Sequence, residues 1–172
     1  LMFYQALPKA HSSSAPDMDL TEEQLFKALA AERPDGKGGL LANPYKKWSE
    51  IDASLPDIAI IAFGPPPTSG TRDAFVELIM HDGCNALPGM TDLQKSNAEK
   101  WNEVCSRMRQ DGPFVEAGEN DNLIVQRLES DPNSVGIFGY SFLYENSDKL
   151  KGVKINGVAP NFDTIADESY PV

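Results

Sequence analysis

Histidine and cysteine are scarce in this chain, with two of each in 172 residues. His11 and His81 stand alone, without a second ligand at metal spacing, and read as surface residues. Cys84 and Cys105 are too few for a metal cluster and form no C-x-x-C, which excludes a thiolate metal site. They are either two buried thiols or a disulfide; the disulfide would close a loop of about 20 residues and stabilise the fold by about 3 kcal/mol. Positive charge is also short: 15 Lys and Arg face 26 Asp and Glu, a formal net charge of −11. That argues against nucleic acid or an anionic membrane as partner, since both require a basic footprint. No apolar run approaches the roughly 20 residues of a membrane span, so direct membrane insertion is not expected. A Walker pattern is missing, Ser69 lacks a Gly-x-Ser-x-Gly elbow and a His–Asp pair, and neither cysteine has a base. We therefore expect no catalytic residue, no metal, no cofactor and no enzyme. A secretion leader is not seen either: Leu1–Leu7 is apolar but has no basic flank or cleavage pattern. The first residue is leucine rather than methionine, which fits a processed or trimmed chain and leaves export open.

What the chain does contain is an alternation of strand and helix signals. Leu1–Ala6 reads as a strand and Lys9–Asp17 as a polar loop. Thr21-Glu22-Glu23-Gln24 is a capping box opening a helix with Leu25, Phe26 and Leu29 on one face. A short turn over Pro44–Ile51 directs Tyr45 and Trp48 inward. Ile58–Phe63, six apolar residues, predicts a strand covered on both faces. A helix follows from Gly70 to about Asp82, with Ala74, Phe75, Leu78 and Ile79 at core spacing. Gly83–Met90 reads as a loop, and a long helix runs from about Leu93 to Arg109, carrying Trp101, Val104, Cys105 and Met108 on one stripe. The remaining elements are a strand at Phe114–Ala117, a helix opened by Glu119–Asn122, a strand at Val135–Gly139, a helix at Tyr140–Glu145, a strand at Val153–Ile155 turned by Asn156-Gly157, and a helical turn at Phe162–Ala166. Strands alternating with helices predict a single α/β domain over residues 1–172, with a mixed central sheet flanked by helices.

In such sheets ligands sit at the carboxyl ends of strands, beside helix N-termini. Thr68-Ser69-Gly70-Thr71-Arg72 lies at such a place. Backbone N–H groups at the helix start, the two hydroxyls, a glycine that admits close approach and the planar Arg72 guanidinium make an anion cradle. The plain alternative is an N-cap followed by glycine, with Arg72 an exposed residue paired to Asp73 or Glu77. Asp73 either orients Arg72 or complements the helix dipole. Asn120 and Asn122 either donate side-chain N–H groups to the same cleft or simply cap their helix. Glu116 and Glu119 would repel an anion unless turned away or hydrogen-bonded.

Thr68-Ser69-Gly70-Thr71-Arg72-Asp73-Ala74-Phe75 resembles the phosphate-site signature of the phosphate-binding proteins of bacterial ABC importers. Glu116–Asn122, Val135–Tyr140 and Gly157-Val158-Ala159-Pro160 resemble the same family, in the same order. The resemblance spans Asp17–Val172. It implies one lobe of a type II periplasmic-binding-protein fold, in a receptor whose two lobes close around inorganic phosphate and pass it to a membrane permease outside the cytoplasm. It places Ser69, Gly70, Thr71 and Arg72 on the phosphate. Relatives often carry a further arginine a few positions earlier, where this chain has Gly64–Pro67, so Arg72 must supply the charge. This sequence corresponds to the second lobe. No counterpart of the first lobe's phosphate loop, or of its carboxylate that accepts the phosphate proton, is found in it, and residues 1–16 read as a hinge or linker. A phosphate-ester sensor or enzyme using the same Ser-Gly-Thr-Arg cradle is the alternative.

Overall fold

A computed structural model describes residues 2–6, 17–35, 37, 39–118 and 120–171. The readings of His11, of Glu119 and of the loop through residues 9–16 fall outside these.

The central sheet has five strands in the order β6–β5–β7–β1–β8: β1 (Met2–Ala6), β5 (Ala62–Gly64), β6 (Phe114–Glu116), β7 (Val135–Phe138) and β8 (Leu150–Gly152). β5 runs parallel to both β6 and β7, while β1 lies antiparallel between β7 and β8. The sheet is therefore mixed, and Met2–Ala6 is an interior strand of it. Two small pairings lie outside: β2 (Asp19–Leu20) with β9 (Lys154–Ile155), and the hairpin of β3 (Glu32–Pro34) with β4 (Leu40–Ala42). No helix of the described residues is long and apolar enough to cross a membrane.

Helix α1 (Glu22–Leu29) starts as its sequence dictates. The Thr21 hydroxyl accepts from the Gln24 amide at 3.1 Å, and the Gln24 side chain accepts from the Thr21 amide at 3.0 Å. Leu25, Phe26, Ala28 and Leu29 are buried by it. A four-residue helix, α2 (Trp48–Ile51), buries Trp48, while Tyr45 is half-buried. The apolar run Ile58–Phe63 is divided. Its first half hydrogen-bonds to residues 46 and 48, through Trp48 N–H to Ile58 O and Ile60 N–H to Lys46 O. Only from Ala62 does it enter the sheet, so the predicted strand starts four residues late. A continuous apolar run marks burial but does not say which partner the backbone takes.

After β5, α3 (Gly70–Phe75) passes through a π-helical segment, Val76–Met80, into α4 (His81–Asn85), with right-handed helical backbone at each junction. The wider turn carries the buried stripe through Phe75, Ile79, Met80, Gly83 and Cys84, and leaves Leu78 exposed against expectation. It also extends the helix into the predicted loop. The predicted long helix is two, α5 (Met90–Ser96) and α6 (Ala98–Ser106), broken at Asn97. Asn97 donates its amide to Leu93 O at 2.8 Å and accepts from the Lys100 amide at 3.1 Å, closing one helix and capping the next. α7 (Asp121–Ser130) packs across β5, β7 and β1 and buries Ile124, Val125 and Leu128. α8 (Tyr140–Glu145) and α9 (Phe162–Ala166) keep their predicted bounds. Asn156 and Gly157 both take positive φ, 53° and 78°, as a tight hairpin turn requires.

Cys84 and Cys105 are joined, with Cα atoms 5.6 Å apart, and tie α4 to α6. Both are buried. With 21 residues of separation, breaking the bond is expected to cost about 3 kcal/mol. Urea unfolding with and without reductant checks this as a lower midpoint when the bond is reduced; an unmoved midpoint would contradict it.

Candidate anion site at the sheet edge

Because β5, β6 and β7 are parallel, their carboxyl ends share one edge, and α3, α7 and α8 all begin there. Each of these helices starts with N–H groups that have no partner within the helix. Ser69 caps α3: its backbone is extended, and its hydroxyl accepts from the Thr71 amide at 3.1 Å. A Cβ on Gly70 would meet no atom within 4 Å, so the helix start is open to an approaching group. Asn120 caps α7 by accepting from the Asn122 amide at 3.0 Å, and the side chain of Asn122 is exposed. Capping is therefore the role seen for Asn120. Asp73 is exposed in the first turn of α3 and makes no ion pair with Arg72.

Arg72 is not an exposed helix arginine. Its side chain is 13% accessible, and it pairs with neither Asp73 nor Glu77. Nη1 donates to Glu116 Oε1 at 3.1 Å and makes a long contact of 3.4 Å with Pro65 O. The guanidinium carbon lies 5.2 Å from the centre of the Phe114 ring, a cation–π distance. Phe114 and Glu116, two apart on β6, project to one face and together seat the arginine. Gly64, which pairs with Glu116 across the strands, makes room for this seat: a Cβ there would lie 2.7 Å from Phe114 Cε2. Of the alternatives for Glu116, the hydrogen-bonded one holds: it is the partner of Arg72.

Along the flank of α3, a cavity of about 460 Å3 is lined by Arg72, Asp73, Glu77, His81 and Ser106 among others. His81 is half-buried rather than a surface residue. Its Nε2 lies 2.8 Å from Ser106 Oγ, and its ring centre 4.8 Å from Trp101. Burial pushes the imidazole below its usual pKa, against the pull of Glu77 and Asp82. No three His, Cys, Asp or Glu side chains of the described residues are grouped to hold a metal.

The most satisfied buried charge lies elsewhere. Arg109 is 2% exposed and donates to both Asp111 carboxylate oxygens, at 2.6 and 2.8 Å, and to Ala28 O and Tyr45 O at 2.9 and 2.7 Å. Lys46 also reaches Asp111 Oδ2, at 2.6 Å. The Arg109 hydrogen bonds, then Lys46, hold the Asp111 carboxyl well below the ordinary carboxylate range against the opposing effect of burial. Nothing in the local sequence announces this hub, because its partners lie far along the chain.

The chain belongs to the PBP superfamily, whose domain model matches residues 2–172. Among relatives, the phosphate-binding protein PstS of Staphylococcus haemolyticus is 33% identical over 130 residues, covering 73% of this chain and 32% of that protein. Among solved structures, a possible phosphate binding protein from Planctomyces limnophilus superposes with a TM-score of 0.60 at 26% identity, covering 99% of this chain and 50% of that one. An ABC-type phosphate transport receptor from Vibrio cholerae shares the fold, with a TM-score of 0.56 at 17% identity over 99% of this chain and 53% of that one. The chain spans about a third of the length of the curated relative and about half of each solved protein.

Proposed function

We propose that residues 1–172 act as one lobe of an extracytoplasmic receptor that binds inorganic phosphate for an ABC-type importer. The observation that carries this reading is the meeting, at the carboxyl end of β5, of an open helix start, two hydroxyls and a seated guanidinium. Phosphate oxygens would accept from the backbone N–H of Gly70 and from the Ser69 and Thr71 hydroxyls, beside the Thr71 amide that orients the Ser69 oxygen, while Arg72 supplies the positive charge. With a net charge of −11, the chain does not attract anions from a distance, so affinity has to come from short, preorganised hydrogen bonds. The relatives named for phosphate binding support the ligand, and the Cys84–Cys105 bond supports an oxidising compartment. The open edge of the sheet supports a shell completed by the receptor's first lobe closing over the ion, with the membrane permease as the downstream partner. A carboxylate on that first lobe, accepting the phosphate proton, would exclude sulfate by setting two acceptors against each other. The role is binding rather than turnover, and needs no cofactor.

Half a shell gives weak binding. Phosphate and arsenate are expected to raise the melting temperature in a saturable way, with a Kd on the order of 1 mM, while chloride at matched ionic strength does not. Sugar phosphates should bind no better than free phosphate; preferential binding would favour a phosphate-ester sensor or enzyme. A melting temperature indifferent to every oxyanion would contradict the reading.

A further inference from the structure

We propose that Glu116 is a resident counter-ion of Arg72: it holds the guanidinium in place in the empty site and weakens the site's grip on anions. This deepens the phosphate reading and rests on it. Glu116 ends β6 directly beside Gly64, and its Oε1 takes Arg72 Nη1 at 3.1 Å. Among the described residues no acceptor meets Arg72 Nε or Nη2. These two nitrogens form the edge of the fork that grips a tetrahedral oxyanion through two parallel hydrogen bonds. An anion therefore docks without evicting Glu116, and two negative charges then share one cation. Glu116 is 42% exposed, so water screens part of this repulsion without removing it.

The same geometry separates the carboxylate's two effects. The Phe114 ring, itself packed close against Gly64, already seats the guanidinium at 5.2 Å. Glu116 adds one further anchor at Nη1, and glutamine supplies an equivalent oxygen there without the charge. Charge, rather than shape, is then what Glu116 contributes to affinity. It offsets the Arg72 charge before the anion arrives, which favours release of the ion.

The test is an NMR titration of the full chain with inorganic phosphate, following the Gly70 amide in wild type, Glu116→Gln and Glu116→Asp. Glu116→Gln is expected to bind about tenfold more tightly, since one like charge near the anion is gone. Glu116→Asp, which keeps the charge, should stay within about threefold of wild type. A residue with only a structural role would not raise affinity when neutralised. Binding by wild type with equal or weaker binding by Glu116→Gln overturns the proposal and leaves the phosphate reading standing. No Gly70 shift in wild type or Glu116→Gln overturns both.

Discussion

Arg109→Ala is expected to remove about 4 kcal/mol of stability, a large share of what a domain of this size holds. The guanidinium is 2% exposed and joins three segments: the end of α1 through Ala28 O, the stretch before α2 through Tyr45 O, and the turn into β6 through Asp111. Its backbone position is fixed independently, because the Arg109 amide donates to Leu29 O and the Ala31 amide to Arg107 O. Truncation leaves two carbonyls short of a donor and opens a void where a large side chain sat. Asp111 loses less, since it is half-exposed and keeps Lys46. Arg109→Lys should recover under half of the loss, because a compact ammonium cannot span both carboxylate oxygens and both carbonyls. The effect depends on pH with a defined sign. A carboxyl depressed in the folded state contributes stability above its unfolded pKa, and that contribution is lost as pH falls through the folded value. The gap between wild type and Arg109→Ala should therefore be full above about pH 5 and narrow steadily from about pH 4 downward. Urea titrations across this range check it; a loss below about 1 kcal/mol at neutral pH would show that the hub is dispensable.

Arg72→Ala is expected to weaken phosphate binding by about a hundredfold, the worth of a strong charge-assisted contact. Its cost to the fold should be about 1 kcal/mol, because what is lost is a ring contact with Phe114 and a pair whose partner, Glu116, turns to water. The contrast with Arg109 is the point of the comparison: both are largely buried arginines paired to acids, yet one has every contact inside the protein and the other keeps its binding edge open. Arg72→Lys should restore part of the affinity through charge alone. Unchanged phosphate affinity in Arg72→Ala would place the positive charge elsewhere.

Much of the fold was legible because the signals are local. The capping box at Thr21 and Gln24, the turn pair Asn156-Gly157 and the bounds of α8 and α9 each depend on residues within a few positions of one another. Readings failed where a distant partner decides. Ile58–Phe63 is apolar throughout, but residues 46 and 48 capture its first half. Leu78 fits a regular helix and is displaced by the π-helical turn. His81 looks isolated until α6 brings Ser106 beside it. The candidate site divides in the same way. Ser69–Arg72 is contiguous and readable as an anion turn, and Asn120 as a cap. The partner of Arg72 is 44 residues away, and no charge pattern along the helix points to it. Only the pairing of β5 with β6, Gly64 opposite Glu116, brings the two together.

The central claim is that an oxyanion docks on the backbone amides that open α3. Titrating the isotope-labelled chain with inorganic phosphate tests it most directly. The amide resonances of Gly70 and Thr71 should move saturably and together, and should stay still in Arg72→Ala. Shifts confined to other parts of the chain, or movement at Gly70 and Thr71 that survives loss of Arg72 unchanged, would contradict the account.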